Sequence, residues 1–182
     1  MALTRARVIA ASPAFRARVE EVIRAVLSRP RDRAALAADV VEMRSAIAQE
    51  KGDADRWDIK YVAGGLVDIE FIAQFLQLAH AAEHPGILDA STARALDKAA
   101  RAGVLASEDA EVLRAAVRLY DDLTQLLRLC LPGRFDPKSA DPRLAALLTR
   151  AADVPDLTTL DAFLAETEAK VRGCFTRILG AP

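Results

Sequence analysis

Apolar residues recur three and four apart through most of the chain, and prolines cut that pattern into pieces. A proline inside a helix costs about 3 kcal/mol, so Pro13, Pro30, Pro85, Pro132, Pro137, Pro142 and Pro155 mark where elements begin and end. Leu3 to Ala10 predicts a helix with no capping residue before it. Ser12 with Pro13 predicts a capped helix to about Leu27, and Asp32 a third to about Lys51, with Leu36, Val40, Met43 and Ile47 as its buried stripe. After the polar break Gly52 to Arg56, the aromatic, alternating Trp57 to Val62 predicts an extended segment. Gly64-Gly65 then turns the chain into a helix from Leu66 to His84. Ser91 or Thr92 opens the next, which Gly103 ends, and Ser107 caps a long one from Glu108 to about Leu131. Asp141-Pro142 starts a short helix to about Ala152, and Thr158 or Thr159 the last, to Leu179 before Gly180. With one extended segment and no strand to partner it, the expected fold is all-α. It is a helical bundle with that short segment before Gly64-Gly65, in one domain over residues 1–182.

Composition changes the picture little. Hydrophobic residues make up 52% and charged residues 28% of 182, enough for a core and too polar for a bilayer. No apolar run approaches the roughly 18 residues of a membrane span, and Met1 to Ala10 lacks the regions of a signal peptide. A cytoplasmic protein with no membrane partner is expected, its two cysteines, Cys130 and Cys174, being free buried thiols. The net charge of -1 gives no field to attract nucleic acid. Locally, residues 1–33 set eight arginines against three carboxylates, which reads as a solvated or docking surface because only Phe15 there could stack a base.

The chemistry-bearing stretch is Trp57 to Phe71, where an extended segment, paired glycines and an acidic helix start adjoin. Glycines permit close approach of another chain, and free N–H groups at a helix start can face a phosphate. Asp68 shares a side with Ile72, Phe75 and Ala79, whereas Glu70 continues into Gln74 and Gln77 as a polar stripe. The two carboxylates lie about 200° apart around the helix, so they are poorly placed to share one metal. Two readings stand. Asp68 caps the helix and pairs with Lys60 or Arg44; or Arg44, Lys60, Gly64, Gly65, Asp68 and Glu70 form a surface that meets a nucleotide or a neighbouring catalytic domain.

Two further patterns read as accidents. His80-x-x-Glu83-His84 matches an inverted zinc-peptidase motif, but Pro85 follows at once and no third ligand is identified, so no metal site is expected. Asp53-Ala54-Asp55 follows Gly52 in a polar turn without a supporting strand. No serine accompanies a histidine base, so no catalytic residue is assigned to this chain.

Asp58-Ile59-Lys60, Gly64-Gly65-Leu66, Asp68-Ile69-Glu70-Phe71 and Gln74 together resemble the signature that follows each nucleotidyltransferase domain of the glutamine synthetase adenylyltransferases. Ala2 to Arg7, Glu42-Met43-Arg44, Thr92 to Leu105 and Leu126 to Leu129 extend the resemblance over residues 1 to about 180. The resemblance implies a parent enzyme with two halves, one attaching AMP from ATP to a tyrosine of glutamine synthetase and one removing it by phosphorolysis. It implies that this chain is the helical domain after the C-terminal, AMP-attaching half, and is not catalytic alone. The family's Gly-Ser with paired aspartates is absent, which puts ATP and magnesium chemistry upstream of residue 1, with neither expected on this domain. Implied partners are the upstream nucleotidyltransferase domain, glutamine synthetase and the PII signal protein. The alternatives are a PII-binding module without nucleotide contact, or the helical domain of a related PII uridylyltransferase.

Overall fold

The structure is a computed structural model and describes residues 1–180. Among these, the regular elements are helical: α1 (Pro13–Leu27), α2 (Arg33–Lys51), α3 (Leu66–His80), α4 (Thr92–Arg101), α5 (Ser107–Cys130), α6 (Pro142–Ala151) and α7 (Leu157–Leu179), with three short 3-10 turns. The capping chemistry sets the starts. Ser12 accepts from the Phe15 N–H, Asp32 from Ala34 and Ala35, and Asp141 from Arg143 and Leu144, each satisfying helix-start donors that would otherwise be free.

Helix α3 is the axis of the bundle, packing against α2, α4, α5 and α7. Its sequence explains why: LVDIEFIAQFLQLAH is apolar nearly all round, and such a helix is stable only with neighbours on every side. The core runs from Ile69, Ile72 and Leu76 of α3 to Leu96, Leu113, Leu123, Leu160, Leu164 and Phe175 on the helices around it. Helix α1 stands apart, with only Leu27 buried. No helix among the described residues is long and apolar enough to cross a membrane.

Several expectations are corrected. Trp57 to Val62 is not extended: Tyr61 and Val62 N–H groups both donate to the Asp58 carbonyl, at 2.9 and 3.0 Å, winding the segment into consecutive turns. No neighbouring strand is there to take its backbone groups, so they pair locally, and Ile59 and Val62, three apart, face the core together. The first segment is helical only over Ala2–Arg5. Helix α3 ends at His80, four residues before the expected stop. Ser107 is the first residue of α5 rather than its cap, and Asp156, not a threonine, caps α7 through the Thr159 N–H. On α2 it is Arg44, not the exposed Met43, that joins Val40 in the interior. Cys174 is buried as expected but Cys130 is exposed; both are free thiols.

Candidate functional site

The turn between Val62 and Leu66 lies inside the bundle, and its glycines are there because nothing larger fits. Gly64 has φ of 84°, and a Cβ on it would come within 2.1 Å of the Glu168 carbonyl oxygen on α7. One on Gly65 would lie 2.4 Å from the Ile59 carbonyl oxygen. Asp68, on the first turn of α3, closes the site from below. Its side chain is 0% exposed and accepts from the Gly64 N–H at 2.8 Å, from Arg172 of α7 at 2.9 Å, and from the Arg44 Nε of α2. Arg44, only 1% exposed, also donates to the Tyr61 carbonyl at 3.0 Å. From α5 the buried Tyr120 hydroxyl donates to the Gly64 carbonyl at 3.1 Å. Burial, then the Glu168 and Asp68 charges, raise the Tyr120 hydroxyl well above its ordinary range, so it stays a protonated donor.

Four helices therefore clamp one turn. Of the six residues the sequence singled out, Arg44, Gly64, Gly65 and Asp68 meet in this hub. Lys60 and Glu70 do not. Lys60, half-buried, lies across the Tyr61 ring at 4.8 Å, and Glu70 pairs with Arg5 at 2.8 Å. Lys60 makes no ion pair with Asp68; Arg44, of the two expected partners, takes that place and Arg172 adds a second charge. Two arginines and a backbone N–H compensate the buried carboxylate and fix its geometry, and at 0% exposure it offers nothing for a ligand to reach.

Sequence reasoning missed Arg172, Tyr120 and Glu168, which reach the turn from far along the chain. A signal existed for Glu168: it falls in register with Leu160, Leu164, Val171 and Phe175 on the buried stripe of α7, where a charge needs a partner. Its Oε2 pairs with Arg56 at 3.2 Å, while burial pushes its carboxyl upward more than Arg56 pulls it down.

The remaining candidates disperse. His80 closes α3, held below its ordinary value by burial and then by Arg33, whereas His84 is exposed beyond the helix and Glu83 pairs with Arg33 at 2.8 Å. Gln77 leaves the supposed polar stripe: it is buried, and its Oε1 accepts from the Asp89 N–H at 2.9 Å. Asp55 caps the Trp57 N–H at 3.0 Å. Burial, then the Asp109 carboxylate, push the Cys174 thiol up to about 12, far from nucleophilic readiness.

Fold and site thus define a helical domain organised around an interior ion-pair hub. The chain belongs to the family described as GlnD PII-uridylyltransferase, whose model matches residues 34–178. It is similar to the bifunctional glutamine synthetase adenylyltransferase/adenylyl-removing enzyme of Rhodopseudomonas palustris (strain BisB5), at 62% identity over 99% of this chain. The proteins of the same name from Bradyrhizobium sp. (strain BTAi1 / ATCC BAA-1182) and Xanthobacter autotrophicus are 59% and 58% identical over 98% of it. The chain spans about 18% of the length of these relatives.

Proposed function

We propose that residues 1–182 are one helical domain of a cytoplasmic enzyme that moves AMP from ATP to a tyrosine of glutamine synthetase, in its AMP-attaching half. The observation that carries this reading is the split within the signature. Arg44, Gly64, Gly65 and Asp68 are spent on holding a turn rigid, while Lys60 and Glu70, on either side of it, remain at the surface. A turn clamped by four helices is a stiff platform, and a platform of that kind suits positioning of another body. In this reading a preceding nucleotidyltransferase domain holds ATP and magnesium and supplies the phosphoryl chemistry. Lys60 meets that domain or the nucleotide's phosphates as a point charge, and Glu70 fixes the linking segment through Arg5.

The test is made in the full-length enzyme. Lys60→Ala is expected to lower the AMP-transfer rate about 10-fold or more, the order seen when a positioning contact is lost, without moving the melting temperature. An unchanged rate and ATP affinity in a folded variant rejects the reading.

A second reading is favoured by α1. Phe15 and Val22 leave apolar surface in solvent at 60% and 62% exposure, beside the half-buried Val19 and Val26 and among the arginines of the first 33 residues. A PII-type signal protein docking there would make the domain a regulatory module. Titration of the chain with PII protein, with and without glutamine, separates the readings: saturable binding lost on Phe15→Ser supports docking, and no binding leaves α1 out of it.

A further inference from the structure

Glu168 sits where α7 meets the glycine turn: its backbone carbonyl is the atom that a Cβ on Gly64 would strike. Its side chain is buried, and Oε1 has no hydrogen-bond partner. Oε2 has one, Arg56 Nε at 3.2 Å, and that guanidinium is shared with Asp161, which it meets at 2.8 Å. Asp68, on the other carboxylate at Gly64, shows the contrast, with three donors around it. An ionised carboxyl offers acceptor sites on both oxygens, and leaving one of them unanswered out of water is costly.

The charges around Glu168 do not make up that deficit. From the loop before the turn comes Arg56, partly exposed and divided between two carboxylates. On α7 itself Asp161 adds a like charge, and Arg172, one helical turn further along, is committed to Asp68. Asp68 of α3 is a second anion, and Arg44 of α2 is bound to it and to the Tyr61 carbonyl. Tyr120 of α5 stays neutral and gives its proton to the Gly64 carbonyl. Helix α6, which also packs on α7, supplies no ion pair to Glu168 among the described residues. Burial therefore outweighs Arg56, and the Glu168 carboxyl is pushed up from its ordinary value, Asp161 adding to the rise.

We propose that Glu168 is a proton-operated latch between α7 and the glycine turn: as the neutral acid it rests in its buried place, and as the anion it moves out toward Arg56 and solvent, slackening α7 against Gly64. The proton is exchanged with bulk water. Because the folded chain holds it more tightly than the unfolded one, whose glutamates titrate at about 4.3, the latch contributes fully below that pH. Its contribution is lost as pH rises through the folded value. The proposal does not depend on the function given above.

Carboxyl ¹³C shifts of the chain labelled in glutamate, with the Glu168 resonance assigned by its loss in Glu168→Gln, follow the titration directly. The resonance should titrate above the ordinary glutamate range, and Asp161→Asn should move it down and Arg56→Gln up. The Gly64 amide resonance should shift with the same midpoint in the unaltered chain and stay in place in Glu168→Gln. Guanidinium unfolding at successive pH values reads the linkage. Above pH of about 4.3 the folding constant of the unaltered chain should fall, relative to Glu168→Gln, by up to about 10-fold per pH unit, the slope of a single proton. Titration of Glu168 at or below its ordinary value overturns the proposal, as do parallel pH dependences of the two chains or a Gly64 amide indifferent to the proton. Failure of Glu168→Gln to fold overturns it too, since the fold would then need the charge that the latch is said to lack.

Discussion

Asp68 is the residue on which the turn depends. A carboxylate wholly out of water is tolerable because Arg44, Arg172 and the Gly64 N–H surround it, and removing it leaves Arg44 buried without an opposing charge. Asp68→Ala is therefore expected to cost about 3–5 kcal/mol, well above the roughly 1 kcal/mol of a lost cap, as read from the midpoint of guanidinium unfolding. Part of this was legible from the residues alone: helical spacing separates Asp68 from Glu70, and Arg44 stood among its possible partners. The rest was not. Met43 and Arg44 are neighbours, and the choice between them as the inward residue turns on the buried carboxylate, which local periodicity does not register. Arg172 lies 104 positions away on α7, and no local pattern ties it to a turn.

Among the elements, three starts followed from short polar side chains before apolar stripes: Ser12, Asp32 and Asp141 cap as the sequence reads, whereas Ser107 and the threonines of α7 do not. The misread segment has a physical cause. Trp57 to Val62 has strand-like composition, but strand propensity expresses packing on a pleated surface, and this segment has helices for neighbours. The link from α3 to α4 shows how such an irregular piece is fixed instead. Gln77 takes the Asp89 N–H, and Asp89 takes the Ser91 N–H at 2.9 Å with Arg94 and Lys98 each at 3.0 Å. Burial raises the Asp89 carboxyl, but these donors together outweigh it and hold it at about 2. Its folded value lies below the unfolded one of about 3.9, so its contribution is present above pH 4 and is lost as pH falls through about 2. Asp89→Asn should therefore flatten the fall in urea midpoint across that interval relative to the unaltered chain, and an identical pH profile would show that the cluster does not form.

At the scale of the whole molecule, the bundle is built from α2 to α7, and α1 is an appendage held mainly by Leu27, by Arg31 donating to the Leu27 and Val26 carbonyls, and by Arg5 on Glu70. A chain beginning at Pro30 is predicted to unfold in one cooperative step with a melting temperature only a few degrees lower, since about 1 kcal/mol corresponds to roughly 2–4 °C at this size. Loss of the cooperative transition would mean that α1 belongs to the core. That architecture divides one signature: the glycine turn and its ion pairs keep shape, whereas Lys60 lies on the Tyr61 ring and Glu70 pairs with Arg5, outside the hub.

Parallel guanidinium unfolding of Gly64→Ala and Lys60→Ala tests that division most directly. Gly64→Ala adds a left-handed backbone penalty and a collision with α7, so a loss of about 2–5 kcal/mol is predicted, whereas Lys60→Ala should stay within about 0.5 kcal/mol of the unaltered chain. Equal stability of the two variants, or a larger loss at Lys60, would contradict the account.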